Sequence, residues 1–177
     1  LPLRPPAQLA RSVATLDRLS GGRIELGLGA GGHWDAIASM GGRRLRPGES
    51  IEALEEAVQI IRGVWDTDTR GGLTLEGKYY SVRGMKRGPA PAHRPGIWIG
   101  AYKPRILRTI GRIGDGWLPS YQYLPNGPDH LASGSAIIDE AAESVGRDPR
   151  DIRRLLNITG EFAETSRGFL QGPPDQW

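Results

Sequence analysis

Arg23-Ile-Glu-Leu-Gly-Leu-Gly-Ala-Gly-Gly-His-Trp-Asp-Ala-Ile-Ala-Ser-Met-Gly-Gly-Arg-Arg-Leu-Arg-Pro-Gly48 is the stretch on which the fold turns. Ile24, Leu26 and Leu28 alternate as a strand with one buried side requires, and the glycines begin where the alternation stops. Gly27, Gly29 and Gly32 satisfy G-x-G-x-x-G directly after that strand, which is the spacing of a dinucleotide fingerprint. The fingerprint needs a full helix to begin at the loop, so that its N-terminus faces a pyrophosphate. Gly41-Gly42 and Pro47 interrupt any such helix. The expectation is therefore a long loop over 29–49 with one short helical turn around Trp34–Met40, and loops of this length in compact domains tend to be functional.

Working outward, Leu9, Val13 and Leu16 fall at helical spacing between Pro6 and Leu19, with Gly21-Gly22 just beyond. Downstream, Ser50 is expected to cap a helix running to about Trp65 along the stripe Ile51, Leu54, Val58, Ile61 and Trp65. Leu73–Val82 predicts a small hairpin around Glu76-Gly77, leading into Pro-rich Gly88–His93; together these form an excursion over about 66–96. Ile97–Gly100 predicts a strand. A helix follows from Pro104, with Ile106, Leu107, Ile110 and Ile113 turned inward, and Asp115–Leu118 is the next strand. A further helix runs from Pro128 to Gly146 through Leu131, Ile138, Ala142 and Val145, and a strand over Arg154–Gly160 ends the pattern. Strands alternating with helices imply parallel βαβ units in a single α/β domain over 1–177. A doubly wound sheet and a (β/α)₈ barrel remain open at this point.

Composition narrows the function. With 38% hydrophobic and 24% charged residues, the chain lies away from the disordered class. The absence of cysteine excludes disulfides, thiolate metal sites and a cysteine nucleophile. Lysine and arginine number 23 against 20 acidic residues, scattered rather than gathered in a stripe, so an anionic small molecule is expected and nucleic acid is not. No apolar run has membrane-spanning length, and a cytoplasmic setting is the expectation. A complete barrel takes about 250 residues, so the 177 here predict one incomplete at both ends, whose exposed strand edges either pair with a second subunit, as in a dimer, or belong to a larger ordered chain. The ending Gly172–Trp177 reads as the start of a further helix.

Gly100-Ala101-Tyr102-Lys103-Pro104-Arg105 ends a strand and opens a helix within a few residues. A helix N-terminus carries free N–H groups and a partial positive charge, and it normally favours acidic neighbours. Two cations in the first turn, Lys103 and Arg105, fit a bound anion such as phosphate. An ordinary short loop with proline at the first helical position is the alternative.

These segments resemble the luciferase-like monooxygenase superfamily, particularly its deazaflavin (coenzyme F420) branch. The resemblance is carried by Thr15–Arg23 (Thr-Leu-Asp-Arg-Leu-Ser-Gly-Gly-Arg), Leu26–Gly31, Trp34–Ile37, Gly88–His93, Ile97–Arg105 and Asp115–Ser120. It implies a bacterial-luciferase-like (β/α)₈ barrel whose cofactor lies against Gly29, Ala30, Gly31, Gly32 and Asp35. Gly100, Ala101, Tyr102, Lys103, Pro104 and Arg105 would complete the cofactor site. The function implied is hydride transfer between F420, with FMN as the alternative cofactor, and a small organic substrate. Gly32 stands where sugar-phosphate dehydrogenases of the family carry an acid/base glutamate, which argues against such a substrate. The family's first three strands and its eighth find no counterpart.

His33, beside the glycine loop, is the candidate proton donor or acceptor, with a surface-loop histidine as the plainer alternative. Asp35 is poised either to orient a ring or to cap the short helix. His33, His93 and His130 share no metal-ligand spacing, so no metal site is expected. Tyr79, Tyr80, Tyr121 and Tyr123 lie in stretches that either cover the site or pack. The rivals to a hydride-transfer enzyme are a non-catalytic, abbreviated cofactor-binding barrel and a doubly wound nicotinamide enzyme, which would need a continuous helix from Gly31.

Overall fold

The computed structural model describes residues 2–168 and 170–176. Its elements in chain order begin with α1 (Pro6–Ser20), β1 (Leu26–Gly29), α2 (Trp34–Ser39) and α3 (Pro47–Trp65). A hairpin of β2 (Leu73–Glu76) and β3 (Ser81–Met85) follows, then β4 (Ile97–Gly100), α4 (Pro104–Ile113), β5 (Gly116–Trp117), α5 (Asp129–Glu143) and β6 (Arg153–Arg154). Near the end, β7 (Glu161–Phe162) pairs in parallel with β8 (Gln171–Gly172), and Pro174–Gln176 forms a single 3₁₀ turn in place of the helix start expected there.

The main sheet runs β1-β4-β5-β6 with every pairing parallel. Sequence order equals spatial order, so the sheet winds in one direction only. A doubly wound sheet reverses direction at a switch point, and none exists among the described strands. Right-handed crossovers then place α3, α4 and α5 on the same side, as successive units of a barrel wall. The fold is thus an arc of a (β/α)₈ barrel. Helices that follow one another in the wall also touch: α1 lies on α3, α3 on α4, and α4 on α5.

The core fills the space between this sheet and its helices. Leu54, Ile60, Ile61, Ile97, Ile99, Leu107, Ile110 and Ile138 are fully enclosed, and each contributes roughly 1.5–3 kcal/mol of transfer free energy. Trp117 is the largest buried side chain, and its indole lies where a Cβ on Gly134 of α5 would approach within 2.5 Å. Only glycine lets α5 settle so closely onto β5.

Two carboxylates fasten the end of the sheet where the strands begin. Asp115 accepts both hydrogen bonds of Arg62 Nη2, at 2.9 and 2.8 Å, and also the Ile97 N–H at 3.0 Å, tying α3 to the starts of β4 and β5. Asp17, with no exposed surface, accepts from the N–H groups of Ile24, Ala92 and His93, at 3.2, 2.8 and 3.0 Å, and lies 2.9 Å from His93 Nδ1. The Asp-Arg-Leu-Ser-Gly-Gly-Arg and Asp-Gly-Trp motifs therefore owe their acidic residues to architecture.

The structure corrects several local expectations. Ser50 is not the cap of α3. Pro47 occupies the first helical position, Arg46 is the N-cap residue whose N–H donates to Glu49 at 2.9 Å, and Ser50 donates its hydroxyl back to Pro47 O at 2.9 Å. Leu16 is 54% exposed, because small Ala10 and Ala14 let α3 approach closely and rotate the buried stripe of α1 toward them; Trp65 Nε1 donates to Ala10 O at 2.8 Å across that contact. Val145 lies beyond the end of α5 and is 49% exposed. The last strand of the sheet is Arg153–Arg154 rather than 154–160; beyond it Leu155 and Asn157 donate their N–H groups to Trp117 O and Pro119 O, at 2.9 and 2.8 Å, and Ser120 and Asn157 form an isolated bridge.

Burial alone would raise the Asp17 carboxyl, but the His93, Ile24 and Ala92 hydrogen bonds outweigh it and hold it below the ordinary aspartate range. The folded state therefore binds fewer protons at this group than the unfolded chain. The stabilisation is complete above the ordinary aspartate value and disappears as pH falls through the depressed one. Asp17→Asn is expected to lower Tm by roughly 5 °C or more near neutral pH, with the gap to the parent protein closing as pH is lowered toward about 3. Thermal melts of both proteins across that range test the sign; a gap that widens in acid contradicts it.

Candidate active site

The four-residue ladder between β1 and β4 pairs Leu26 with Ile97 and ends on Gly29 opposite Gly100. Because the two strands stop level, the loops that leave them emerge side by side. Between them opens a cavity of about 470 Å³, lined by Gly29, Ala30, Gly31, Gly32 and Trp34 from the first loop and by Gly100, Ala101, Tyr102 and Lys103 from the second. Pro47, Ser50 and Ile51 of α3 and Ile106 of α4 close it from the helix side. It sits at the carboxyl ends of the strands, where barrel enzymes place their chemistry.

The floor is nearly bare backbone. Gly31 holds φ of +116°, and a Cβ there would stand 2.6 Å from the Trp34 indole, so the aromatic ring lies directly on the loop. A flat ligand can lie against such a surface where side chains would hold it off. The volume is in the range of small-molecule and cofactor pockets, which runs to about 300–1,000 Å³.

Two helix N-termini meet at the rim. Both α3 and α4 start at this cavity with a proline at the first position and an N-cap residue in extended conformation. At α3 the partial charge is met internally by Glu49. The first turn of α4 has no acidic residue and no side-chain cap, and Lys103 makes no ion pair among the described residues. An uncapped helix start beside a free ammonium is a seat for an anion.

Not every sequence-predicted residue arrives at the cavity. Arg105 pairs with Glu52 at 3.1 Å, and hydrogen bonds from Tyr79 and Arg105 hold that carboxyl below its ordinary value, so this cation is already neutralised. Pro104 begins α4 without lining the cavity. His33 is the exposed N-cap residue of α2, in left-handed conformation at φ 52°, outside the lining set. Asp35 is fully exposed and ion-paired with Arg44.

Other lining residues escaped sequence reasoning. Trp34, Ile51 and Ile106 supply the apolar wall; Ile51 and Ile106 stand near the starts of their helices, where the stripe pattern signals only core. Tyr79 serves Glu52 through its hydroxyl at 2.9 Å, whereas Tyr123 stands edge-on to Tyr102 with ring centroids 6.2 Å apart. Among the described residues no group of three or more His, Asp or Glu could hold a metal, and no helix is long and apolar enough to cross a membrane.

Comparison with known proteins agrees with the fold. The model of the luciferase-like monooxygenase family matches residues 1–167. The phthiodiolone/phenolphthiodiolone dimycocerosates ketoreductase of Mycobacterium sp. (strain JLS) is 34% identical over 164 residues, covering 89% of this chain and 40% of the relative. The F420-dependent hydroxymycolic acid dehydrogenase of Mycobacterium tuberculosis (strain ATCC 25618 / H37Rv) is 30% identical over 182 residues, covering 97% and 47%. Among solved structures, an F420-dependent secondary alcohol dehydrogenase in complex with an F420-acetone adduct superposes with a TM-score of 0.75 at 22% identity, over 85% of this chain and 44% of that one. The chain thus spans less than half the length of these relatives.

Gly31→Ala tests the floor. A side chain at this φ is strained and must also displace the Trp34 ring, at a cost of about 1–3 kcal/mol. The expected outcome is a fall in Tm of roughly 3–10 °C with a changed indole emission. An unaltered melt and spectrum would mean that the ring does not rest on the loop.

Proposed function

This chain belongs to the luciferase-like monooxygenase family, and from that premise we propose that it holds the cofactor of an oxidoreductase that moves a hydride between coenzyme F420 and a small organic substrate. The observation that carries the proposal is the pairing, in one cavity, of a floor of small residues at Gly29–Gly32 and Gly100, with the Trp34 ring laid on Gly31, and an uncapped, lysine-bearing helix start at Lys103. The first suits a fused ring system; the second suits its phosphate.

When bound, the deazaflavin supplies the two-electron hydride chemistry that side chains lack. The protein's own part is to bind and orient. Lys103 and the first free N–H groups of α4 hold the anionic tail, Gly29–Gly32 and Gly100 receive the ring, and Trp34, Ile51 and Ile106 keep water from the apolar wall. FMN would use the same phosphate seat. F420 is favoured because Gly-Ala-Tyr-Lys-Pro-Arg and Gly-Pro-Ala-Pro-Ala-His resemble the deazaflavin branch, and because one 30%-identical relative is named as F420-dependent.

His33 and Asp35 keep a part in this reading only if the α2 segment closes over a bound substrate, since both are exposed in the structure. The outer edges of β1 and β6 have no strand partner among the described residues, and Leu19 of α1 is 80% exposed. We infer that these surfaces are covered either by a second subunit, in a dimer, or by further strands of a longer chain; a monodisperse monomer of these 177 residues in light scattering would refute both.

Titration of the protein with F420 and separately with FMN, followed by absorbance and fluorescence, tests the main proposal. F420 is expected to bind the more tightly, and Lys103→Ala to weaken it about tenfold, the equivalent of about 1.4 kcal/mol. The loss should shrink at high salt as the charge is screened. Tight FMN binding without F420 binding would transfer the assignment to flavin, and absence of both would overturn the oxidoreductase reading.

A further inference from the structure

Trp117 is the largest enclosed side chain in the core and also a hydrogen-bond donor to the cavity wall. Its indole Nε1 donates to Ala101 O at 2.9 Å, with Trp117 1% exposed and Ala101 2% exposed. Ala101 lines the cavity, so a core residue of β5 and a wall residue just past β4 share one buried hydrogen bond. Inside the protein such a bond is difficult to give up, because the carbonyl left behind has no water to turn to.

The bond fixes more than one atom. The Ala101–Tyr102 peptide is trans, and in a trans peptide the C=O and the following N–H point in opposite directions. With the Ala101 carbonyl committed to Trp117, the Tyr102 N–H is directed away from it. That N–H meets no acceptor among the described residues, and Tyr102 itself lines the cavity. The Tyr102 side chain is held from the same side, its hydroxyl oxygen accepting the Ser120 N–H at 2.9 Å. Ser120 lies three residues beyond Trp117, so the β5 segment grips two consecutive wall residues.

We propose that Trp117 is the positioning residue of this wall: its indole N–H locks the Ala101–Tyr102 peptide so that the Tyr102 N–H is presented to the ligand as a preset donor. The inference rests on the cofactor-holding role of the cavity. A preset donor contributes to binding without an ordering cost at the moment the ligand arrives. The Asp-Gly-Trp motif then has two functions on adjacent residues, Asp115 fastening the start of the strand and Trp117 aligning its rim.

Trp117→Phe removes the indole donor together with the outer edge of the ring that lies against Gly134, so it opens a void as well as breaking the bond. Ile138→Val, in the fully buried face of α5, serves as the control that loosens the same layer without touching the bond. Both variants are expected to melt a few degrees lower. Only Trp117→Phe should raise the F420 Kd, by about five- to tenfold, and only it should accelerate amide hydrogen exchange at residues 101–103 in the ligand-free protein. Equal exchange at 101–103 in the two variants overturns the proposal whether or not F420 binds. Parent protein that binds F420 as tightly as Trp117→Phe does also overturns it. Failure of the parent protein to bind any deazaflavin is a separate result: it removes the ligand, and with it the preset-donor role, even if the exchange data confirm the lock.

Discussion

The register that sets Gly29 opposite Gly100 is the constraint on which the rim depends. Two parallel strands of equal length, paired without offset, must release their loops at one level and on one side. Had the ladder slipped by one residue, Leu26 and Ile97 could not both face the core, because side chains alternate along a strand. Ile97 and Ile99 are completely enclosed and Leu26 nearly so, and the core therefore enforces the register that the site requires. Packing and function are linked here through a single ladder.

The two ends of the sheet have opposite electrostatic characters, and this follows from the direction of the strands. Every crossover helix starts at the strand ends and finishes at the strand beginnings, so the rim collects positive helix poles and the opposite face negative ones. Buried carboxylates on that opposite face would be costly unless satisfied. Asp17 is met by three N–H groups and His93, and Asp115 by the Arg62 guanidinium and an N–H. Arg147 adds two bonds to the carbonyls of Gly111 and Gly114, at 2.7 Å each, where α4 ends. The acidic groups are consumed in construction there, and no carboxylate is among the residues that line the cavity.

How much of this was legible follows from what kind of signal each part leaves. Strand–helix alternation, the hairpin and the strand ends at Gly29 and Gly100 rest on local periodicity and glycine placement, and the structure reproduces them closely. The start of α3 was not legible. Ser50 and Pro47 both signal an N-terminus, and the fixed φ of proline decides it three residues earlier, turning the serine hydroxyl inward. The exposure of Leu16 depends on where α3 lies, and the extent of β6 depends on which of its residues find a partner in β5; both are tertiary facts that no window of sequence contains. The cavity was half legible, since its glycine floor is contiguous in sequence, whereas Trp34, Ile51 and Ile106 reach it from three different helices. Lys103 and Arg105 look equivalent on paper. Only the position of Glu52 on α3 separates the free cation from the paired one.

The glycine loop that resembles a dinucleotide fingerprint illustrates why position outranks pattern. After a fingerprint loop, the next helix must pack on the sheet and point its N-terminus at the phosphates. Here the next helix is α2, six residues long with none buried, and the crossover helix α3 begins only at Pro47. The loop after β1 therefore has no packed helix pole directly behind it. That pole is supplied by α4, one βα unit further along the wall, beside Lys103. In the proposed reading a ligand must span both units, its ring on the loop of the first and its anion at the helix of the second, and only the level strand ends let two such units be bridged by one molecule.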